Sequence, residues 1–460
     1  MVSTERRALP ALDPLTAYLA LAERFGEDEV YLLESPSGPA TDRRQAVVGF
    51  GVLLTISVTG TDVSITGEPA VVSAVRNRIS AGLTDRRHLW ELLRCAQSAF
   101  PEIADLGFLS FFGYDTAHYV EDLPRTIPDS FDAPDVCVVL HRGRIRIPVD
   151  GEAELIVHHS DLWPDLEPDV VVDALSITRF EHDTPVPQAV CHDETDEPTF
   201  RRNVRKALDH IAIGDIYQVQ IGHELRITSP LAPAEVYRRL RDRNPSPYMY
   251  LARFAGHTVI GASPELFVRF EDGVATMRPI AGTIPLDAGP AAAARLRADP
   301  KEIAEHVMLV DLCRNDIGRV CDRDTLDVPD MLVVDRYSHV AHLVSTVVGR
   351  VSDVDAYEVV RALFPSGTMT GAPKIRAMEI IESIETSRRG LYAGALGLID
   401  FDGTVNLALC IRSLTHRGDT YRTRASAGVV ADSDPGAEWR ETLAKMSAAY
   451  WAVTGKELVP

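Results

Sequence analysis

Cysteine is scarce in this chain, and no cysteine pattern indicates a metal or redox site. None forms a Cys-x-x-Cys pair, and the six that occur are Cys95, Cys137, Cys191, Cys313, Cys321 and Cys410. Six thiols are too few for a disulfide framework in a chain of 460 residues. We therefore expect reduced thiols and neither a zinc site nor a dithiol redox site.

Basic residues and long hydrophobic runs are also in short supply. The chain has 47 Lys and Arg against 67 Asp and Glu, a formal net charge of −20. Such a surface repels phosphate, which argues against nucleic-acid or anionic-membrane partners but leaves a pocket for a small anion open. No segment is long and apolar enough to cross a bilayer, and the first residues lack the apolar core of a secretion signal. We expect a cytoplasmic protein.

The remaining composition is that of a folded protein, with 45% hydrophobic and 25% charged residues. Periodicity predicts a helix over 12–25, followed by strands over 29–34, 46–58 and 106–112. The polar, proline-bearing segment 184–198 is typical of a linker, so we expect an N-terminal domain over 1–185 and a second domain over 186–460. Beyond the linker we predict a helix over 200–213, a strand over 216–221 and a hairpin at Asp272–Gly273.

Two pairs of acids have helical spacing. Glu302 and Glu305 are three residues apart, and so are Glu438 and Glu441. That spacing places both carboxylates of a pair on one helix face, where facing pairs could hold a divalent cation such as Mg²⁺. Among 67 acidic residues, such pairs also arise on solvated faces. Spacing alone leaves both interpretations open.

Glycine-containing loops at 279–283, 366–374 and 425–429 can present backbone N–H groups to an anion. None matches a phosphate-binding loop or a dinucleotide fingerprint, and tight turns explain each of them equally well. As isolated patterns they predict little.

In their order along the chain, however, these segments resemble the chorismate-utilising enzymes, and most closely the large subunit of anthranilate synthase. The matching segments are Gly214–Val219, Gly261–Glu265, Arg278–Thr283, Glu305–Val320, Gly371–Glu379, Arg389–Tyr392 and Ala427–Ser433. The resemblance is strong over 195–455 and looser in the N-terminal part, where Leu32–Ser35 and Gly113–Asp115 carry it. It implies an α/β (α+β) fold of two subdomains, with β-sheets flanking the active-site cleft and helices outside.

The resemblance also implies a site for chorismate, which carries two carboxylates. Glu305 and Glu441 are expected to hold Mg²⁺ against the ring carboxylate, supported by Glu302 and Glu438. The remaining residues expected to bind substrate are Tyr392, Arg412, Gly428, Thr283, Gly282 and Lys445.

In the family reaction a nucleophile adds at ring carbon 2 while the hydroxyl on carbon 4 departs. Glu265 matches the acid that protonates this hydroxyl, Thr368 lies in the matching loop, and His342 matches the residue associated with elimination of pyruvate. Gln218 stands where the water-using synthases carry a lysine, and Ala281 stands where many 4-amino-4-deoxychorismate synthases carry a nucleophilic lysine. The resemblance therefore favours ammonia as the nucleophile at carbon 2.

These residues predict anthranilate synthase component I, which makes anthranilate and pyruvate from chorismate and ammonia. The first alternative is a 2-amino-2-deoxyisochorismate synthase that releases no pyruvate, because Ser426 replaces a family glycine and Ile284 interrupts a family motif. A 4-amino-4-deoxychorismate synthase and an isochorismate or salicylate synthase follow, and a non-catalytic chorismate or tryptophan sensor comes last.

Two partners complete these predictions. No cysteine lies in the Gly-x-Cys-x-Gly turn of a glutaminase, so we expect a separate glutamine amidotransferase subunit to supply ammonia. Ser35, Pro245, Tyr248 and Met249 lie in segments that resemble the tryptophan effector site of anthranilate synthases, and the sequence leaves open whether tryptophan inhibits this chain.

Overall fold

The computed structural model describes residues 2–79, 82–128, 132–177, 185–285, 292–337 and 340–458. Its strands are β1 Ser3–Leu9, β2 Val30–Glu34, β3 Gln45–Thr59, β4 Asp62–Gly67, β5 Gly107–Phe112, β6 Val136–Pro148, β7 Ala153–His159, β8 Val190–Asp193, β9 Gln218–Thr228, β10 Tyr248–Phe254, β11 His257–Ser263, β12 Leu266–Glu271, β13 Val274–Met277, β14 Ile280–Pro285, β15 Asp327–Arg336, β16 Val340–Arg350, β17 Gly371–Ala372, β18 Ala395–Asp400, β19 Val405–Leu409, β20 Ser413–Arg417 and β21 Thr420–Val429.

The helices cover the outside of this sheet system. They are α1 Pro14–Phe25, α2 Pro69–Arg76, α3 Leu89–Gln97, α4 Pro168–Ile177, α5 Glu197–Ala212, α6 Pro233–Arg243, α7 Ala292–Ala298, α8 Pro300–Gly318, α9 Ala356–Leu363, α10 Lys374–Ile384 and α11 Pro435–Thr454. Among the described residues, no helix is long and apolar enough to cross a membrane.

The strands form one continuous antiparallel network with two arms. Strands β3 and β6 pair with each other at its centre. From β6, the first arm continues through β5, β18, β19, β12, β13 and β16. From β3, the second arm continues through β2, β10, β11, β20, β21 and β9.

The two arms pack face to face over an apolar core. Phe111 of the first arm and Phe254 of the second have ring centroids 5.5 Å apart. Alternate residues point outward, so Phe112 packs against Trp90 of α3, and Leu251 lies in a cluster with residues of α1 and α6. Two facing sheets with helices outside are the predicted architecture, which is thereby confirmed.

Most predicted elements occur, some with shorter and some with longer bounds than predicted. The helix expected over 200–213 is α5, and the strand expected from 216 is β9, which begins at Gln218. Asp272 and Gly273 both have positive φ, 53° and 70°, as a two-residue hairpin turn requires. The domain boundary at 185/186 stays a prediction; across it, β2 pairs with β10 and β5 pairs with β18.

Candidate active site

Two helices bring the predicted acids together, and an Asp-Pro pair starts each helix. Asp299 caps α8 by accepting hydrogen bonds from the backbone N–H groups of Lys301 and Glu302, at 2.9 and 3.3 Å. Asp434 caps α11 in the same way. Proline at the first helical position is pre-set for helix geometry and needs no N–H partner. These caps fix where the first turns begin and therefore which way the acids point.

The acids face a cavity of about 180 Å³ between α8, α11 and the inner faces of the two arms. Its lining includes nine of the predicted site residues: Glu265, Gly282, Glu305, His342, Thr368, Tyr392, Arg412, Glu441 and Lys445. Ala281, which the sequence set apart as a discriminating position, lines it too. The structure therefore gathers in one place residues that lie between positions 265 and 445 of the chain.

Glu265 is the buried acid of this cavity. Burial raises its pKa to about 8, although a hydrogen bond from Thr368 and the charge of Lys445 both lower it. The Thr368 hydroxyl donates to Glu265 Oε1 over 3.2 Å. Glu265 is therefore protonated at neutral pH, as a proton donor must be.

Three of the four predicted metal ligands, Glu302, Glu305 and Glu438, have pKa values raised by burial and by the charge of neighbouring acids. The pKa of Glu305 is raised by burial and then by the charges of Glu302 and Glu441, and that of Glu438 by burial and Glu441. Like charges held together in this way suit a divalent cation. Within the described residues, however, no three carboxylate, imidazole or thiol groups are close enough to form a complete metal site. Mg²⁺ commonly takes one or two carboxylates and completes its coordination with water and substrate oxygens, so the residues fit it.

His342 lies in β16, opposite β14, and faces the cavity in its neutral form. Burial lowers its pKa to about 4. Its Nδ1 lies 2.8 Å from the Gly282 carbonyl, which can only accept, so Nδ1 carries the proton and Nε2 does not. Gly282 itself has φ of 61°, and a Cβ there would lie 2.9 Å from Glu302 Oε2. Only glycine fits between this strand and the acid.

Two cationic groups, those of Lys445 and Arg412, also line the cavity. Lys445 forms an ion pair with Glu441 at 2.6 Å and donates to the Ser426 carbonyl at 2.8 Å. Arg412 donates to the Lys445 carbonyl at 3.2 Å, and burial lowers its pKa. It is also held at a φ of 53°, a left-handed conformation that costs free energy outside glycine and is frequent at functional sites.

The other predicted residues lie beside the cavity rather than in its lining. Gln218 is buried, and neither its Oε1 nor its Nε2 has a hydrogen-bond partner within the described residues. Gly428 leaves room for it, since a Cβ there would lie 3.0 Å from Gln218 Nε2. Glu302 and Glu438 are not among the residues that line the cavity. Thr283 is opposite His342 in the strand register, and its side chain is outside what the structure describes.

The sequence predictions missed the ion cluster behind the cavity. Glu385 accepts hydrogen bonds from Arg389, from Arg424 and from the backbone N–H of Gly222, all within 3.0 Å. Arg389 stacks on Tyr114 and lies 5.9 Å from the ring of Tyr392. The sequence held one signal: alternation along β21 places Arg424 on the same face as Ser426 and Gly428.

A second cavity, of about 280 Å³, contains most of the predicted effector residues. Ser35, Tyr248 and Met249 line it. The proline in its lining is Pro247, and the predicted Pro245 is not part of the lining. Its lining is strongly charged, with Arg144 donating two hydrogen bonds to Asp400 at 3.1 and 2.8 Å. The Tyr248 hydroxyl donates to Asp42.

A cleft with paired acids, cations and a buried proton donor is a site for a small anion with several carboxylates. The chain belongs to the chorismate binding enzyme family, which it matches over residues 29–450. It is 57% identical to 2-amino-4-deoxychorismate synthase of Streptomyces globisporus, over 100% of this chain and 98% of the relative. It is 34% identical to anthranilate synthase component 1 of Acinetobacter calcoaceticus, over 96% of this chain and 92% of the relative.

Among solved structures, the fold is similar to anthranilate synthase component I of Streptococcus pneumoniae TIGR4. The TM-score is 0.76 at 28% identity, covering 88% of this chain and 92% of that one. The chorismate-utilising family predicted from the sequence is thus confirmed. The 57% identity to 2-amino-4-deoxychorismate synthase supports the first alternative better than it supports the predicted anthranilate synthase, to whose relatives the identity is lower.

Proposed function

We propose that the protein converts chorismate and ammonia to 2-amino-4-deoxychorismate and water. The 57% identity to a synthase of that name, over the whole of both chains, carries the proposal. The name describes chorismate with an amine added at carbon 2 and the hydroxyl of carbon 4 removed. The same compound is 2-amino-2-deoxyisochorismate, the first alternative that the sequence left open.

The reaction balances with the groups in the cavity. The nitrogen of ammonia bonds to carbon 2, both ring double bonds shift by one position, and the bond between carbon 4 and its oxygen breaks. Protonated Glu265 gives its proton to the departing hydroxyl, which leaves as water. The new ammonium group then loses a proton, which restores the acid. The enolpyruvyl ether stays intact.

Charge complementarity supports chorismate as the substrate. Arg412 and Lys445 lie beside the cavity and offset the charge of a bound carboxylate. Glu305 and Glu441, backed by Glu302 and Glu438, are the residues that would hold Mg²⁺. The ion would neutralise a ring carboxylate and stabilise charge that develops on it.

The choice of nucleophile is supported by two side chains. Ala281 offers only a methyl group to the cavity, and the Gln218 amide cannot act as a base toward water. Ammonia therefore has no competitor supplied by this chain. A separate glutamine amidotransferase subunit is the proposed source of it.

Anthranilate formation is the second candidate, and His342 favours it. Release of pyruvate requires removal of the proton on carbon 2. The unprotonated Nε2 of a neutral imidazole is suited to that task.

Mass spectrometry of the products separates these candidates. Purified protein is incubated with chorismate, Mg²⁺ and excess ammonium at alkaline pH, with a chelator-treated sample as control. We expect a magnesium-dependent product one mass unit below chorismate, because NH₂ replaces OH, and no pyruvate. Anthranilate with pyruvate would establish the second candidate, and isochorismate would contradict both.

Tryptophan inhibition belongs to the same proposal. Ser35, Tyr248 and Met249 in the second cavity support it. Adding tryptophan to the ammonium assay tests it, and turnover that is insensitive to tryptophan would remove it.

A further inference from the structure

A buried ion pair lies beside the loop that carries Thr368. Lys374 Nζ is 2.5 Å from Asp316 Oδ1, and both side chains are almost completely buried. Neither is among the described residues that line the active-site cavity. Taking two charges out of water has a large desolvation cost, and a well-packed apolar pair is often at least as stable. Stability alone therefore does not explain why these two charges are buried.

The helices that carry the pair do not explain it either. Asp316 lies in the last turn of α8, where the helix dipole is negative, and Lys374 is the first residue of α10, where the dipole is positive. Each charge is therefore at the helix end that disfavours it. What compensates each residue is its contact with the other.

The pair also fixes the backbone between α9 and α10. Asp316 Oδ2 accepts a hydrogen bond from the backbone N–H of Gly367 over 3.2 Å. Lys374 donates to the carbonyl of Leu363, at the end of α9, over 3.3 Å. Gly367 packs closely on α8, since a Cβ there would lie 3.0 Å from Leu312 Cβ. The turn that begins at Gly367 is thus held against α8.

Thr368 is the next residue of this turn, and its side chain reaches the acid of the active site. Its hydroxyl lies 2.9 Å from Ser366 Oγ and donates to Glu265 Oε1 over 3.2 Å. This hydrogen bond lowers the pKa of Glu265, although burial raises it more. A shift of the turn by about 0.5 Å would lengthen the contact beyond hydrogen-bond range.

We propose that Asp316 and Lys374 position Thr368 for its contact with the proton donor. The proposal rests on the amination reaction proposed above, in which Glu265 protonates the departing hydroxyl. The pair acts through the backbone of Gly367, and no bond forms or breaks at the pair itself.

Other titratable groups also face Glu265. Lys445 of α11, Cys313 of α8 and Tyr337, between β15 and β16, are near enough for their charges to interact with that of Glu265. The lining of the cavity adds Glu305, His342, Tyr392, Arg412, Arg424 and Glu441. The variants below change none of these groups, so a change in pH dependence reports on the contact with Thr368.

Removing both charges together tests the proposal without leaving either charge buried alone. Asp316→Leu/Lys374→Met also removes the acceptor for Gly367, whereas Asp316→Asn/Lys374→Met keeps an amide oxygen that can accept the same hydrogen bond. At saturating chorismate, Mg²⁺ and free ammonia, we expect the leucine variant to lower kcat about tenfold, with both KM values within about twofold of wild type.

The pH profile shows whether the proton donor is affected. Loss of the hydrogen bond from Thr368 should raise the pKa of Glu265, so the alkaline limb of kcat should move up by about 0.5–1 pH unit in the leucine variant. The asparagine variant is the matched control and should keep the wild-type limb. A folded leucine variant with the wild-type limb would overturn the proposal.

Thr368→Val provides the reference for this shift. It removes the hydroxyl at nearly constant volume and should move the limb by the same amount. Added to the leucine variant, it should cause no further shift, because both changes remove the same contact. Additive shifts would show that the pair acts on Glu265 by another route.

Gly367→Ala is a second test, which does not depend on the leucine variant folding. It leaves both charges in place but pushes the turn away from Asp316, because its Cβ would press on Leu312. We expect the same upward shift of the limb, with thermal unfolding checked for every variant, and an unchanged limb would contradict the proposal. A wild-type protein that makes no aminated product would instead overturn the reaction itself, so the two failures are distinguishable.

Discussion

Glu265 is the residue whose environment says most about the chemistry. Its carboxyl is buried, its one hydrogen bond within the cavity comes from Thr368, and its pKa is raised to about 8. A carboxylic acid that stays protonated at neutral pH is rare on a protein surface. It is required where a hydroxide must leave as water.

Replacing Glu265 with glutamine should strongly slow turnover while improving stability at high pH. Loss of the acid should cost about 10²- to 10⁴-fold in kcat, and the wild-type rate should fall as pH rises through about 8. At pH values between the pKa of Glu265 in the unfolded chain and about 8, Glu265 of the folded protein keeps a proton that the unfolded chain has released. Wild-type stability should therefore fall with rising pH across that window, by up to about 4 kcal/mol more than in Glu265→Gln.

Urea unfolding of the wild type and of Glu265→Gln at pH 5 and pH 8 measures this predicted loss of stability. The difference between the two proteins isolates Glu265 from other titrating groups. An equal loss of stability in both would show that this carboxyl is already ionised at neutral pH.

The residues that face the cavity could largely be predicted, because family motifs carry them in order. Gln218 shows the limit. Its position in the motif indicated that it bears on the choice of nucleophile. The Gln218 side chain is buried without a hydrogen-bond partner among the described residues, and the space it occupies depends on Gly428, which is 210 residues away in the chain. Contacts at such separation follow from strand pairing, and no local pattern encodes them.

Among the secondary-structure elements, the end of α10 and strands β9 and β21 meet at Glu385. Burial alone would raise the pKa of this carboxyl, but Arg389 and Arg424 outweigh burial and lower it. Because each arginine also binds backbone carbonyls, the cluster holds the turn that carries Tyr392 against both strands. The cluster therefore fixes the turn that carries Tyr392, and one of its members, Arg424, also lines the cavity.

Removing the negative charge of Glu385 should strongly destabilise the folded protein. Glu385→Gln leaves two buried guanidinium groups without their counter-ion, which typically costs about 3–5 kcal/mol. Glu379→Gln on the exposed face of α10 is the matched control and should cost less than about 0.5 kcal/mol. Denaturant unfolding of both variants measures this, and similar values for the two would contradict the role assigned to the cluster.

The helices were better predicted than this cluster because their signals are local. Spacing of three paired Glu302 with Glu305, and Asp299–Pro300 marks the start of α8 within three residues of them. The ion cluster instead joins residues of four separate segments. No spacing rule connects them.

At the scale of the whole molecule, the sheet network crosses the boundary predicted at 185/186. Strand β5 pairs with β18 through six residue pairs, and β2 pairs with β10. Without 1–185, both β18 and β10 would present unpaired apolar edges. Such edges favour aggregation.

We therefore expect a fragment of residues 186–460, expressed alone, to be insoluble or to lack cooperative unfolding. Co-expression with a separate 1–185 chain is the control and should restore a folded complex. Circular dichroism and thermal unfolding provide the measurement. A monomeric fragment that unfolds cooperatively would establish 186–460 as an independent domain.

Glu385 lies outside the cavity lining, and this has an evolutionary consequence. The ion pairs of Glu385 hold the frame, whereas the side chains of Ala281 and Gln218 face or border the cavity and take no part in those ion pairs. Substitutions at the lining can therefore exchange one nucleophile or product for another without unfolding the protein. A scaffold organised in this way can give rise to several pathways from one ancestral substrate.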